Sequence, residues 1–137
     1  MSTVREARCV CGQLRLETDG EPDFVSLCHC LECQRRSGSP FGVGAYFPVA
    51  RVHIAGTHKT FTRQAAAGRS ITNHFCPECG SNVFWEASAR AGLYGIAVGA
   101  FADQKFPPPN RSVYEATKHP WVVLDLDIEH FAQGTGR

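Results

Sequence analysis

The chain has 137 residues, 43% of them hydrophobic and 20% charged, and its 14 Lys and Arg against 13 Asp and Glu leave a formal charge of +1. That balance excludes a disordered or fibrous chain, and a length of this order buries roughly two thirds of the unfolded surface around one core. The basic residues are scattered, with Arg35-Arg36 the sole adjacent pair, so there is no electrostatic footprint for nucleic acid, and no apolar run approaches the length that spans a membrane.

The opening MSTVREARCVCG carries charge where a secretory leader needs an apolar stretch, which predicts a cytoplasmic protein. Disulfides rarely persist in a reducing compartment, so the seven cysteines point to metal binding or thiol chemistry. Their odd number also leaves one unpaired in any full disulfide scheme. No repeat, low-complexity tract or long linker divides the chain, and residues 1–137 are expected to form one domain.

From the N-terminus onward the pattern is that of strands. Gln13-Leu14-Arg15-Leu16-Glu17 sets two leucines on one face and polar groups on the other. Leu31 to Ser37 is the best helix candidate, one or two turns after a cysteine cluster, stopped by Gly38 and Pro40. Phe41, Val43, Ala45 and Phe47 then recur at every second residue. Short β-branched or aromatic runs follow at Val52 to Ile54, Lys59 to Thr62, Ile71 to Phe75, Val83 to Trp85, Leu93 to Val98 and Trp121 to Leu126. Between the last two, Phe106 to Asn110 (FPPPN) is a stiff connector that cannot belong to a central strand. These elements predict an all-β fold of small antiparallel sheets with little helix, a nonlocal architecture that metal crosslinks help to hold.

The cysteines fall into three clusters: Cys9 and Cys11, then Cys28, Cys30 and Cys33, then Cys76 and Cys79. In Cys76-Pro77-Glu78-Cys79-Gly80 a two-residue spacer lets a tight knuckle turn both thiolates toward one ion, with Pro77 presetting the turn and Gly80 able to take positive φ. Cys9 and Cys11 are expected to supply the other half of a closed four-thiolate site. In a flat strand residues two apart sit about 6.5 to 7 Å apart, so local bending next to Gly12 is required. Cys28, Cys30 and Cys33 then remain as a three-ligand set, and an open fourth position is the usual mark of a catalytic zinc rather than a structural one. The soft all-thiolate donors favour zinc over magnesium, calcium or manganese; residue type alone leaves iron and Cu(I) open.

Rival readings attach to the same residues. A thioredoxin-like redox role for Cys30-Leu31-Glu32-Cys33 or Cys76-Pro77-Glu78-Cys79 lacks the βαβ context that such a motif needs. Cys28-His29 is a poor nucleophile-base pair, because adjacent side chains in an extended segment point apart. His29 is left as a metal ligand, a donor to a ligand or an outward-facing residue, and His74 invites the same question. His53, His58 and His130 read as solvated, and Trp85, Tyr94, Tyr114 and Trp121 as core or rim aromatics. Arg35, Arg36 and Lys59 are candidates to clasp a carboxylate, against the commoner role of charged side chains that are merely solvated.

Cys9-x-Cys11-Gly12, FVSLCHCLECQRRSGSPF, FCPECGSNVFW and YEATKHPW, collinear from Arg8 to Trp121, together resemble the glutathione-dependent formaldehyde-activating enzyme family, which also includes centromere protein V. The resemblance implies a small β-tent fold and a carbon-sulfur lyase that joins glutathione and formaldehyde into S-hydroxymethylglutathione. It also implies a structural zinc on Cys9, Cys11, Cys76 and Cys79 and a catalytic zinc on Cys28, Cys30 and Cys33. Partners would be a small thiol such as glutathione and a small aldehyde, with Arg35, Arg36 and His29 as candidate substrate contacts. Two alternatives stand beside it: a non-catalytic, zinc-stabilised binding module, as centromere protein V suggests, and an enzyme of the same family acting on another thiol. Near-neutral charge and the lack of basic tails argue against a chromatin-binding module.

Overall fold

A computed structural model of the chain describes residues 3–135. Two sheets form. The smaller joins β1 (Val4–Arg8), β2 (Arg15–Asp19) and β5 (Val52–Ala55), all antiparallel. The larger contains β3 (Phe24–Cys28), β4 (Gly42–Pro48), β6 (Lys59–Gln64), β7 (Ser70–Phe75), β8 (Asn82–Ala87), β9 (Leu93–Ala97), β10 (Arg111–Val113) and β11 (Glu129–His130), in the order β11-β10-β3-β4-β9-β8-β7-β6. Its pairings are antiparallel except at one end, where β10 runs parallel to both β3 and β11. The one α-helix among the described residues, α1 (Leu31–Ser37), begins on Cys30, whose sulfur accepts from the Cys33 N–H, and ends on Gly38 in the left-handed region (φ 67°). No helix is long and apolar enough to cross a membrane among the described residues.

The mostly β reading therefore holds, with the helix where Gly38 and Pro40 place it. Leu14 and Leu16 are fully buried, as their alternation requires, with Thr18 continuing the same face. Four strands escaped the sequence: β1, whose VREAR offers one buried side chain, Ala7, together with β3, the three-residue β10 and the two-residue β11. The segment Trp121 to Leu126 is a correction in the other direction. It forms no ladder: the only strand after it among the described residues is Glu129–His130, which pairs with β10. β-Branched residues favour extended backbone, but a strand also needs a partner.

The larger sheet has two differently used faces, set by the two-residue period of a strand. Val25 on β3, Ala45 and Phe47 on β4, Phe84 on β8 and Ile96 on β9 point toward the small sheet and join Ala7, Leu14, Leu16 and Val52 in one buried core. The intervening residues, Phe24, Ser26 and Cys28 on β3 and Gly44 and Tyr46 on β4, face the other way and line a cavity. The FPPPN connector contributes Phe106 to the core, stacked near Phe101 with ring centroids 4.5 Å apart.

Candidate metal centres and substrate cavity

The turn after β1 and the knuckle between β7 and β8 bring Cys9, Cys11, Cys76 and Cys79 together, every sulfur within 4.8 Å of the others. The Cys9 and Cys11 sulfurs are 3.6 Å apart and those of Cys11 and Cys76 are 3.7 Å apart. A tetrahedron with zinc-sulfur bonds of about 2.3 Å has edges of about 3.8 Å, so this donor set fits zinc. Cys9 and Cys11 approach because the chain leaves the strand at Arg8 and turns through Gly12 at φ 82°, with the Gly12 N–H donating to the Cys9 carbonyl at 3.1 Å. Further donors point at the sulfurs: Leu14 N–H to Cys9 at 3.3 Å, Gln13 Nε2 to Cys76 at 2.9 Å, and Ser81 Oγ beside Cys79 at 3.3 Å. Such donors favour thiolates over thiols. The Ser81 hydroxyl and neighbouring backbone N–H groups hold the Cys79 thiol down to about 5.

Cys28, Cys30 and Cys33 form the second set, again with all sulfurs within 4.8 Å. Cys28 ends β3, Cys30 caps α1, and Cys33 lies one turn into the helix, so one short stretch crosses from strand to helix with its sulfurs converging. Hydrogen bonds from the Cys28 and Cys33 thiols, with the Cys33 N–H, pull Cys30 down to about 2, while its neighbours' thiols move up. The cluster is thus built around a thiolate, which is the form that ligates a metal. No His, Asp or Glu joins this set among the described residues.

The three-cysteine set opens on a cavity of about 790 Å³. Its floor is a connected aromatic row on the face opposite the core. Phe24 stacks on Tyr46 at 4.5 Å, Tyr46 meets Trp85 edge to face at 6.3 Å, and the Trp85 indole N–H donates to the Tyr46 hydroxyl at 3.1 Å. Gly44 and Gly95 leave room for that indole; a methyl at either position would run into Trp85. Among the described residues five arginines line the walls, Arg36, Arg63, Arg69, Arg90 and Arg111, against one side-chain carboxylate, Glu32. A chain of formal charge +1 has concentrated its positive charge here.

Among the candidate contacts, Arg36 lines the cavity with its guanidinium 4.1 Å from the Trp85 ring centroid. Arg35 is not among the lining residues; it pairs with Glu32 on the exposed side of α1, as the helical period directs. His29 corrects the outward-facing option. It is fully buried, its Nε2 is 3.0 Å from Ser112 Oγ, and its side chain is not in either sulfur cluster. Burial pushes its imidazole below the ordinary range, so it sits neutral. Its carbonyl accepts from Gln34 Nε2 (2.9 Å) and Thr117 Oγ1 (2.8 Å), while Gln34 Oε1 meets His119 Nε2 at 2.9 Å. The YEATKHPW stretch thereby ties down the loop that carries the cysteines.

His74 is buried beside Glu86 (2.8 Å) and stacked on Phe84. His58 is not the solvated residue expected: it packs 4.9 Å from His74 and 5.4 Å from Phe84, because the β5 to β6 connection folds over the end of β7. His53 and His130 are exposed, next to Asp19 and Glu115 respectively. Lys59, at the start of β6, is exposed and lies outside the cavity. Trp85 and Tyr114 line the cavity, whereas Trp121 is 68% exposed. Sequence reasoning missed Arg63, Arg69, Arg90 and Arg111, which lie far apart along the chain and carry no spacing signal.

No curated protein matches the chain. One of the solved structures that does match is a crystal structure of a Rhodobacter sphaeroides protein determined as a structural-genomics target, with 19% identity, a TM-score of 0.55 and coverage of 75% of this chain and 91% of that one. At that identity the likeness concerns the fold. The profile of the glutathione-dependent formaldehyde-activating enzyme family matches residues 4–117, from the first strand through the Thr117 that holds the cysteine loop, and the chain belongs to that family.

Proposed function

We propose that the protein is a carbon-sulfur lyase-type enzyme holding two zinc ions, one structural on Cys9, Cys11, Cys76 and Cys79 and one catalytic on Cys28, Cys30 and Cys33. It joins glutathione or a related thiol to formaldehyde or another small aldehyde. The observation that carries this reading is a three-sulfur set with no fourth protein ligand among the described residues, opening on a cavity large enough for a peptide-sized thiol. A purely structural module has no need of either feature.

Cys28, Cys30 and Cys33 would hold the zinc, which would supply an open position that lowers the pKa of a substrate thiol. The chain's own residues do the rest. Arg36, held over Trp85, keeps a positive charge beside Cys33 and stands at the reacting end of the cavity. The aromatic floor excludes water from one side of the site and positions the thiol against the aldehyde. In the addition, thiolate sulfur forms a bond to the carbonyl carbon, the carbonyl π pair moves to oxygen, and that oxygen takes a proton from solvent.

The test is the rate of S-hydroxymethylglutathione formation from glutathione and formaldehyde, followed by NMR with zinc-replete protein. Acceleration that disappears in Cys30→Ser supports the assignment; a rate equal to the uncatalysed one overturns it.

A further inference from the structure

Cys28 and Cys30 lie two residues apart in extended backbone, Cys28 closing β3 and Cys30 at φ −64° and ψ 153°. Alternate residues of a flat strand sit about 6.5 to 7 Å apart, yet the three sulfurs of this set lie within 4.8 Å of one another. Cys9 and Cys11 meet through a glycine turn, but the residue between Cys28 and Cys30 is His29, and the backbone around it is held from outside. The His29 N–H donates to the Val113 carbonyl at 3.1 Å, and its buried ring meets Ser112 Oγ at 3.0 Å. Its carbonyl accepts from two donors, Gln34 Nε2 at 2.9 Å and Thr117 Oγ1 at 2.8 Å, the shorter of the two carbonyl contacts that this hydroxyl makes. Gln34 is oriented in turn by the Thr117 carbonyl at 3.2 Å and by His119 Nε2 at 2.9 Å, and the His119 ring lies against Trp121 with centroids 5.8 Å apart.

A carbonyl that accepts two bonds fixes its peptide plane, and this plane joins His29 to Cys30, so it sets where the Cys30 sulfur stands relative to that of Cys28. Left loose, the same peptide would have to be ordered as the ion binds, and affinity would fall by that cost. We propose that Gln34, Thr117 and His119 are positioning residues for the three-cysteine metal set, a clasp on the His29 carbonyl that keeps the Cys28 to Cys30 turn in its ligating shape before an ion arrives. The clasp rests on the reading of these cysteines as a metal site. It gives His29 a backbone role in place of that of ligand or base. The sulfurs are local, but the frame that aligns them is not: Thr117 stands 88 residues beyond the carbonyl it holds, so ion retention here depends on a segment that carries no sulfur of its own.

The probe is isotope-enriched cadmium, a thiophilic ion like zinc, loaded on the full chain and followed by cadmium NMR, which separates four-thiolate from three-thiolate ions, and by chelator competition. The resonance that Cys33→Ser removes belongs to the three-cysteine set. Thr117 is exposed, so Thr117→Val deletes the hydroxyl without disturbing the core. It should shift that resonance and loosen that ion about tenfold or more, Thr117→Ser should restore both, and the four-cysteine ion should be unmoved in each. Gln34→Met keeps a good helix former and removes the other donor; it should act in the same direction and serves even if Thr117→Val folds poorly. His119→Phe, acting through Gln34 alone, should lose less. Thr117→Val and Gln34→Met holding cadmium as the unaltered chain does, with the resonance unmoved, or loosening both ions equally, overturns the clasp. An unaltered chain that takes up a single cadmium overturns the metal reading with it. None of these readouts needs turnover, so a clasp found in a chain that does not accelerate thiol addition sinks the lyase reading alone.

Discussion

The two cysteine sets differ less in chemistry than in what they connect. Cys9 and Cys11 follow a strand of the small sheet, and Cys76 and Cys79 sit in a turn of the large one, so the four sulfurs pin together two sheets whose contact is the main core. Cys28, Cys30 and Cys33 span six residues of one strand-helix junction and pin nothing distant. Long-range closure is where a metal contributes most to folding, and a local set exposed to a cavity is free to spend its coordination on a ligand. On the proposed reading ligand count and chain separation point the same way: the four distant sulfurs would hold a structural ion and the three local ones an open one.

The comparison breaks most visibly under ligand removal. Cys79→Ser should lose one zinc and much of the fold, because metal binding at a four-thiolate site is worth about 10 kcal/mol or more, comparable to the whole stability of a domain. Cys33→Ser should lose one zinc while the thermal transition stays cooperative. Metal analysis and circular dichroism melts of both variants check this, and equal unfolding would contradict the division of labour.

A smaller effect tests the donors around the closed set. Gln13 bridges Cys76 and the backbone of Thr57 through its amide. Gln13→Ala should weaken zinc retention at that site by roughly tenfold in a chelator competition, leaving the three-cysteine site untouched. On the cavity side, Gly95→Ala should drive a methyl into Trp85 and cost about 1–3 kcal/mol, with a shift in Trp emission. A silent Gly95→Ala would mean that the indole is not seated on the glycine floor.

The smallest effect concerns pH at Glu115, next in the chain to the cavity-lining Tyr114. Burial pushes the Glu115 carboxyl up, but the Ser112 hydroxyl and the His130 imidazole outweigh it and hold it below its ordinary value near 4.5. A folded value below the unfolded one stabilises the protein above that pH, and the contribution is lost as the pH falls through the folded value. Glu115→Gln should therefore lower stability by less than about 1 kcal/mol at pH 7, with the difference fading as the pH falls below the ordinary carboxylate range in denaturant titrations.

Much of this was written locally. The αL glycine after Ser37 ended the helix, the Cys-x-x-Cys knuckle announced a metal turn, and leucines two apart marked a core face. Where the signal depended on a neighbour it failed: Trp121 to Leu126 has the residues of a strand but pairs with none, and β1 is a strand because β2 lies beside it, not because VREAR favours one. Arg35 and Arg36 are equivalent in sequence, and only the helix's rotation against β4 sends Arg36 over Trp85 and leaves Arg35 with Glu32.

The sequence by itself determined the three cysteine clusters, because thiolate spacing is a property of a short stretch of chain, and the fold joined the first cluster to the last. The tertiary structure alone decided what those clusters serve. Residues on alternate sides of the same strands became core on one face and cavity on the other, and arginines from four separate segments, α1, the β6-β7 hairpin, the β8-β9 connection and β10, met on that second face. Charge gathered across so many turns of chain has no sequence period, since only the pairing of strands brings it to one place.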